Sequence, residues 1–227
     1  MSKGLRKEDL EQDILIEYSS RFMYFYERNK AAVIGGGIGI IAVIALAIGY
    51  FIHMNQQESQ AQELLGIAEA QFMRGQLETA LYGDDEQTLG FVQIANNFGR
   101  TNAGNMAKYY AAVAEYELGN FETALDFIKG YSKPSGITGV APTSLHGSIL
   151  AELERYEEAA GMFQRAATMD RNSTTTPYNL LKAAYAYKEA GMNSNAIEMV
   201  DKILNEYGNS QQVANAQRLK GQLTARG

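Results

Sequence analysis

The segment LHGSILAELERYEEAAGMFQRAATMD, residues 145–170, decides the fold. Gly147 is followed seven residues later by the polar break at Glu154, and Ala159 comes five residues after that. Tyr156, Phe163 and Ala166 continue at helical spacing. Apolar residues three and four apart share one side of a helix, so the segment reads as two helices joined by a tight turn. Small residues at 147 and 159 let the two backbones approach closely, and the aromatics fill the gap to the next hairpin. The same spacing recurs upstream, from Ala112 through Gly119 to Phe121, Ala124 and Ile128. It recurs downstream from Ala184 through Gly191 to Asn193, Ala196, Val200 and Ile203.

Ala124, Ala159 and Ala196 stand 35 and 37 residues apart, close to the roughly 34-residue period of tetratricopeptide repeats. Residues 145–170 resemble that repeat at nearly every signature position. They depart from it at the turn Gly, which is Glu154, and at the later Pro, which is Arg171. An earlier, irregular hairpin begins with Leu64, Ala68, Gly75, Leu77 and Ala80. Tyr82-Gly83-Asp84-Asp85-Glu86 interrupts it before a helix carrying Phe91, Ile94, Ala95 and Phe98. That helix ends Ile94-x-x-x-Phe98-Gly99-Arg100-Thr101, and the last repeat ends Ile203-x-x-x-Tyr207-Gly208-Asn209-Ser210. Gly stops a helix and Ser or Thr opens the next. Loops are expected at Tyr131 to Pro142 and Asn172 to Pro177. The segment with Val213, Ala216, Leu219 and Leu223 is expected to cap the array as a terminal helix.

Before the repeats, Ala31 to Ile52 runs for twenty-two residues without a charge. As a helix it is about 33 Å long, enough to cross a hydrocarbon core of about 30 Å. Arg21, Arg28 and Lys30 precede it, and no Lys or Arg follows until Arg74, which predicts a cytoplasmic N-terminus. Ala45-Leu46-Ala47 has the form of a signal-peptidase site, but the apolar run continues to Ile52 and a retained anchor is favoured. Gly35 with Gly39, and Ala45 with Gly49, are small-xxx-small pairs suited to packing against another membrane helix. Upstream, Leu10, Ile14, Tyr18, Phe22 and Tyr26 recur every four residues along one side of a leader helix. That helix lies in the membrane interface, packs on a partner, or is simply a juxtamembrane extension of the anchor. The expected organisation is a cytoplasmic amphipathic leader (1–30), a transmembrane signal anchor (31–52) and a repeat domain on the far side of the membrane (53–227). The fold class is all-α, with a single N-terminal transmembrane helix, a tetratricopeptide-type solenoid of about four hairpins and a C-terminal capping helix.

The chain holds 20 Lys and Arg against 26 Asp and Glu, and the leader contains six of each, so the acidic excess falls on the repeat domain. That balance argues against a polyanion partner such as nucleic acid, which needs a basic stripe. With no Cys there is neither a disulfide framework nor a thiolate metal site. His53 and His146 are far apart, and neither sits in a carboxylate-histidine motif. No GxxxxGK[ST], GxSxG or HExxH pattern occurs, and Asp84-Asp85-Glu86 lacks the alternating ligands of a calcium loop. Neither an enzyme nor a cofactor is expected.

Aligning the repeats places Tyr109, Val113 and Tyr116, then Ser144, Ser148 and Ala151, then Tyr178, Leu181 and Tyr185 on the concave side of the first helices. A tyrosine offers apolar area and a hydrogen-bonding tip to an extended polypeptide or a partner helix. The same side chains also serve as packing between hairpins, and sequence alone leaves that choice open.

Leader, anchor and repeat domain together resemble the YfgM-like ancillary subunits of the bacterial Sec translocon, and more closely their relatives in Bacteroidota-type bacteria. The residues that carry this are Asn-Phe-Gly-Arg-Thr-Asn-Ala-Gly-Asn (97–105), Ala107-Lys108-Tyr109-Tyr110-Ala111 and Thr176-Pro177. The resemblance implies an inner-membrane protein whose periplasmic domain assists emerging client polypeptides beside Sec translocon subunits and a PpiD-type periplasmic chaperone. The Lys and Asn set that resembles a clamp for chaperone C-terminal carboxylates is missing from the groove positions. The alternative is a tethered scaffold for cell-wall or outer-membrane assembly, independent of the translocon.

Overall fold

A computed structural model describes residues 7–84 and 88–225, with side chains from Glu17 onward. Leu10 and Ile14 of the leader stripe lie outside the described side chains, and Asp85 and Glu86 lie outside the described residues. The described residues form eleven helices and no strand: α1 (Lys7–Arg28), α2 (Lys30–Met73), α3 (Leu77–Tyr82), α4 (Phe91–Asn97), α5 (Asn102–Glu117), α6 (Phe121–Gly130), α7 (Ile137–Glu152), α8 (Tyr156–Met169), α9 (Thr175–Glu189), α10 (Asn193–Glu206) and α11 (Val213–Thr224). The chain divides into two compact units, Met1–Gln56 and Gln57–Gly227, and the division falls inside α2.

In the first unit, α2 carries the one stretch among the described residues that is long and apolar enough to cross a membrane, and none of that stretch is buried against the chain. A β-carbon added at Gly35, Gly39 or Gly49 would meet nothing within 4 Å, and Ala45 is exposed, so the small-residue face is bare. Tyr18, Phe22, Tyr24 and Phe25 on α1 are likewise exposed.

The second unit is a stack of tandem helical hairpins of tetratricopeptide type. Its register is set by four turns of one geometry at Gly75, Gly119, Glu154 and Gly191, all with φ between +56° and +82°. At each, the turn residue N–H donates three residues back and the next N–H donates five back, for example Gly119 to Tyr116 O and Asn120 to Glu115 O. This pair of bonds closes a Schellman turn and satisfies carbonyls that the helix end would leave open. Seven residues before the turns stand Ala68, Ala112, Gly147 and Ala184, and five after them stand Ala80, Ala124, Ala159 and Ala196, all buried. The irregular first hairpin therefore shares the register of the other three.

Its second helix is broken. α3 stops at Gly83, whose φ is +80°, and α4 resumes at Phe91. Phe98 N–H then donates to Ile94 O and Thr101 N–H to Phe98 O, and Tyr207 to Ile203 and Ser210 to Tyr207 repeat that pattern. The two endings diverge in the next step. Thr101 Oγ1 accepts from Gly104 N at 2.9 Å and caps α5, whereas Ser210 Oγ reaches only Gln212 N at 3.3 Å and α11 starts later, at Val213, without a side-chain cap.

Two loops are shorter than the sequence suggests. α7 begins at Ile137, so Pro142 lies buried within its second turn instead of ending the loop. Gly136, at φ +69°, turns the chain there. Gly139 packs against the Pro134 carbonyl where a β-carbon would not fit, which draws the helix start forward. α9 begins at Thr175 with Pro177 inside its first turn, where a missing N–H costs little. Asn172 organises that start: its Oδ1 accepts from Thr174 N and Thr175 N at 2.9 and 2.7 Å, and its own N–H donates to Thr176 Oγ1 at 3.0 Å.

The core has two parts that meet on α5. Ala103, Ala107, Ala111 and Ala114 join Ala61, Leu65, Leu81, Phe91 and Ile94, while Ala112 joins the cluster that runs through Phe163 and Met199 to Leu219 and Leu223 on α11. α11 thus buries the last hairpin's open face, as a terminal cap does.

Candidate functional site

The first helices of the last three hairpins, α5, α7 and α9, line a hollow of about 340 Å³. Tyr116, Ser148, Ala151 and Tyr185 meet there with Glu152, Tyr156, Phe163, Lys182 and Glu189. Phe163 reaches this position because Gly147 leaves room for it: a β-carbon on 147 would stand 2.9 Å from the ring. Lys182 Nζ lies 5.1 Å from the Phe163 ring centre and 5.2 Å from that of Tyr178, and donates to Ser148 Oγ at 2.9 Å. Such a cation over two π faces is attracted by both ring quadrupoles. Across the hollow, the Tyr116 hydroxyl donates to Glu152 Oε1 at 3.4 Å. Burial first, and then the Glu152 charge, push the Tyr116 phenol above its ordinary value, so it stays a donor.

The expected groove residues separate by environment. Tyr178 and Tyr185 are 45 % and 40 % exposed, and Tyr116 is half-buried on the wall of the hollow. Tyr109 instead belongs to an aromatic chain, with its ring centre 5.8 Å from Tyr110 and 5.5 Å from Tyr131; Tyr110 in turn stacks on Phe91 at 5.2 Å. Burial pushes the Tyr109 phenol up. Val113 and Ser144 are half-buried. Leu181 is a correction: only 6 % exposed, it packs into the core, and its neighbour Lys182 takes the place on the hollow.

Lys182, Glu152, Tyr156 and Glu189 were not among the groove positions read from the repeats. The signal for two of them is periodic. Glu117, Glu152 and Glu189 each stand two residues before a hairpin turn, one per repeat, and that column is visible in the sequence once the turns are aligned. Lys182 carries no such mark.

His146 is half-buried beside this helix row. Burial, then the charges of Lys133, Lys129 and Arg155, hold its imidazole down at about 4 against an opposing effect of Glu158, so it is neutral near pH 7. Among the described residues no group of three or more His, Cys, Asp or Glu is placed to hold a metal ion. What the hollow can do is receive a side chain or a bend of polypeptide among aromatic faces, one ammonium and two carboxylates.

Residues 178–210, which cover most of α9 and all of α10, match the family model of the tetratricopeptide repeat. No curated protein matches the chain. Repeats of this family are typically non-enzymatic and bind protein partners.

Proposed function

We propose that this protein is a membrane-anchored, non-enzymatic interaction module that serves as an accessory subunit of the Sec translocon. In this reading the leader is cytoplasmic, α2 anchors the chain in a bacterial inner membrane, and the hairpins hold secreted or membrane clients in the periplasm together with a PpiD-type chaperone. The observation that carries the proposal is the hollow between α5, α7 and α9, which Tyr116, Lys182 and Tyr185 line. Rigid aromatics present contact area at low entropic cost, which suits a binding surface. The bare face of Gly35, Gly39, Ala45 and Gly49 supports a second contact, with membrane helices.

The test is extraction of the tagged chain from its native membrane in mild detergent and mass spectrometry of what co-purifies. The parent is compared with Gly35→Leu, Gly39→Leu and with Lys182→Glu, Tyr185→Ala. Translocon subunits recovered with the parent and reduced with the glycine variant, with chaperone or clients reduced in the groove variant, are expected. Recovery of only cell-wall or outer-membrane assembly factors would replace the translocon reading with that of a tethered scaffold.

A further inference from the structure

On the other side of the last two hairpins, α8 and α10 border a second cleft of about 530 Å³, with Leu180 and Met199 among its apolar lining. Its cations are Arg165, Arg171 and Lys202, and its one carboxylate is Glu206. Lys202 Nζ is already engaged by Glu198 at 2.7 Å. Among the described residues neither Arg165 nor Arg171 forms an ion pair. Arg165 and Arg171 are both exposed on this one cleft, in a chain whose formal net charge is −6, and their guanidinium groups are open to an anion from solution. The field of Arg165 extends to Lys133, whose ammonium is pushed down first by burial and then by that charge.

We propose that this cleft binds a phosphate monoester, gripped by the guanidinium forks of Arg165 and Arg171. Each fork presents two parallel N–H donors. A carboxylate has two oxygens and is consumed by one fork, whereas a terminal phosphate offers three and carries nearly two charges near pH 7. The cleft is larger than a phosphate group, and Leu180 and Met199 supply an apolar wall for the organic part of the ester. The cleft lies apart from the tyrosine hollow and shares no lining residue with it.

The experiment uses the full chain in uncharged detergent micelles and isothermal titration calorimetry. Glycerol 3-phosphate probes a soluble ester, and phosphatidic acid doped into the micelles probes a lipid headgroup. Succinate is the dicarboxylate control. Saturable binding is expected in at least one phosphate arm, weakened about tenfold or more by Arg165→Gln or Arg171→Gln, as loss of a charge-assisted hydrogen bond predicts. Arg165→Lys keeps the charge without the fork and is expected to weaken binding by less. Binding confined to phosphatidic acid assigns the site to lipid, and binding of glycerol 3-phosphate assigns it to a soluble ester. No saturable heat in either arm, equal binding of succinate, or an equal loss in Arg74→Gln overturns the proposal. Because the arginine variants leave the hollow intact, co-purification of groove partners from them reports on the interaction reading separately.

Discussion

The first and third hairpins share one turn geometry and small residues at the same offsets, yet the first adds polar ties to its apolar packing. In the third, Gly147 on α7 admits the Phe163 ring of α8, and apolar packing joins the two helices directly. In the first, the second helix is split into α3 and α4, and polar side chains tie the pieces down. Glu115, 1 % exposed on α5, accepts from the Tyr82 hydroxyl at the end of α3 and from Asn120 Nδ2, both at 2.8 Å. Gln93 at the start of α4 donates to Tyr82 O at 2.7 Å and accepts from Gly90 N at 3.1 Å. Glu58 on α2 accepts from Asn102 N at 2.6 Å and Ala103 N at 3.2 Å, placing a carboxylate on the N-terminus of α5. Where the second helix is interrupted, charge-assisted hydrogen bonds to Glu115 and Glu58 add to the apolar contacts of Leu81, Phe91 and Ile94, and each is worth more than a neutral one.

That contrast is broken most directly at Gly147. Gly147→Val forces Phe163 out of its place and is expected to cost about 3 kcal/mol in urea unfolding of the full chain, the upper part of the range for overpacking. Gly161→Ala, on the open face of α8, is expected to be neutral or slightly stabilising, because nothing lies within 4 Å of its added carbon. Equal losses from the two would mean that the third hairpin is not held by close packing at 147. Glu115→Ala tests the polar side. It is expected to cost about 2 kcal/mol, since two charge-assisted bonds go while the exposed Tyr82 and Asn120 regain water. A loss under half a kcal/mol would show that the clasp contributes little.

The third hairpin also carries a pH response. His146 titrates at about 4 when folded and 6.5 when free, so its contribution is present above pH 6.5 and is lost as pH falls towards 4. Being half-buried, it leaves about 1 kcal/mol after solvent screening. Stability measured between pH 7 and 4 is expected to fall more steeply in the parent than in His146→Gln, and parallel curves would reject the assignment. The smallest effect is at the turn. Glu154 has φ +56° where the other three hairpins use Gly, and an L-residue there is strained. Glu154→Gly is expected to stabilise by about 0.5 kcal/mol, the relief being partly offset by the unfolded-state entropy of Gly. A destabilised variant would mean that the Glu154 side chain contributes a contact that outweighs its backbone strain.

Much of this molecule was legible because its signals are local and repeated. The turn residues at 119, 154 and 191 and the small residues seven before and five after them recur in the chain, and hairpin geometry demands them wherever two helices cross at a Gly or Ala. Even the broken first hairpin announced its register through Ala68, Gly75 and Ala80. The apolar run of α2 was equally plain, since length and absence of charge are additive properties of a segment. Helix starts were harder. Pro142 reads as a loop residue, and only the approach of Gly139 to the Pro134 carbonyl, a contact made after folding, puts it inside α7.

The hollow marks where sequence reading stops. On α9, Leu181 and Lys182 follow Tyr178 by three and four residues, and successive residues are about 100° apart around a helix, so both border the face that Tyr178 and Tyr185 define. Local pattern favours the apolar residue as readily as the charged one. The sequence alone determined the helices, their pairing into hairpins and the apolar span. Only tertiary packing turned Leu181 into the core and stood Lys182 between the Phe163 and Tyr178 rings, because the side of a helix that becomes surface is decided by the neighbours that cover the rest.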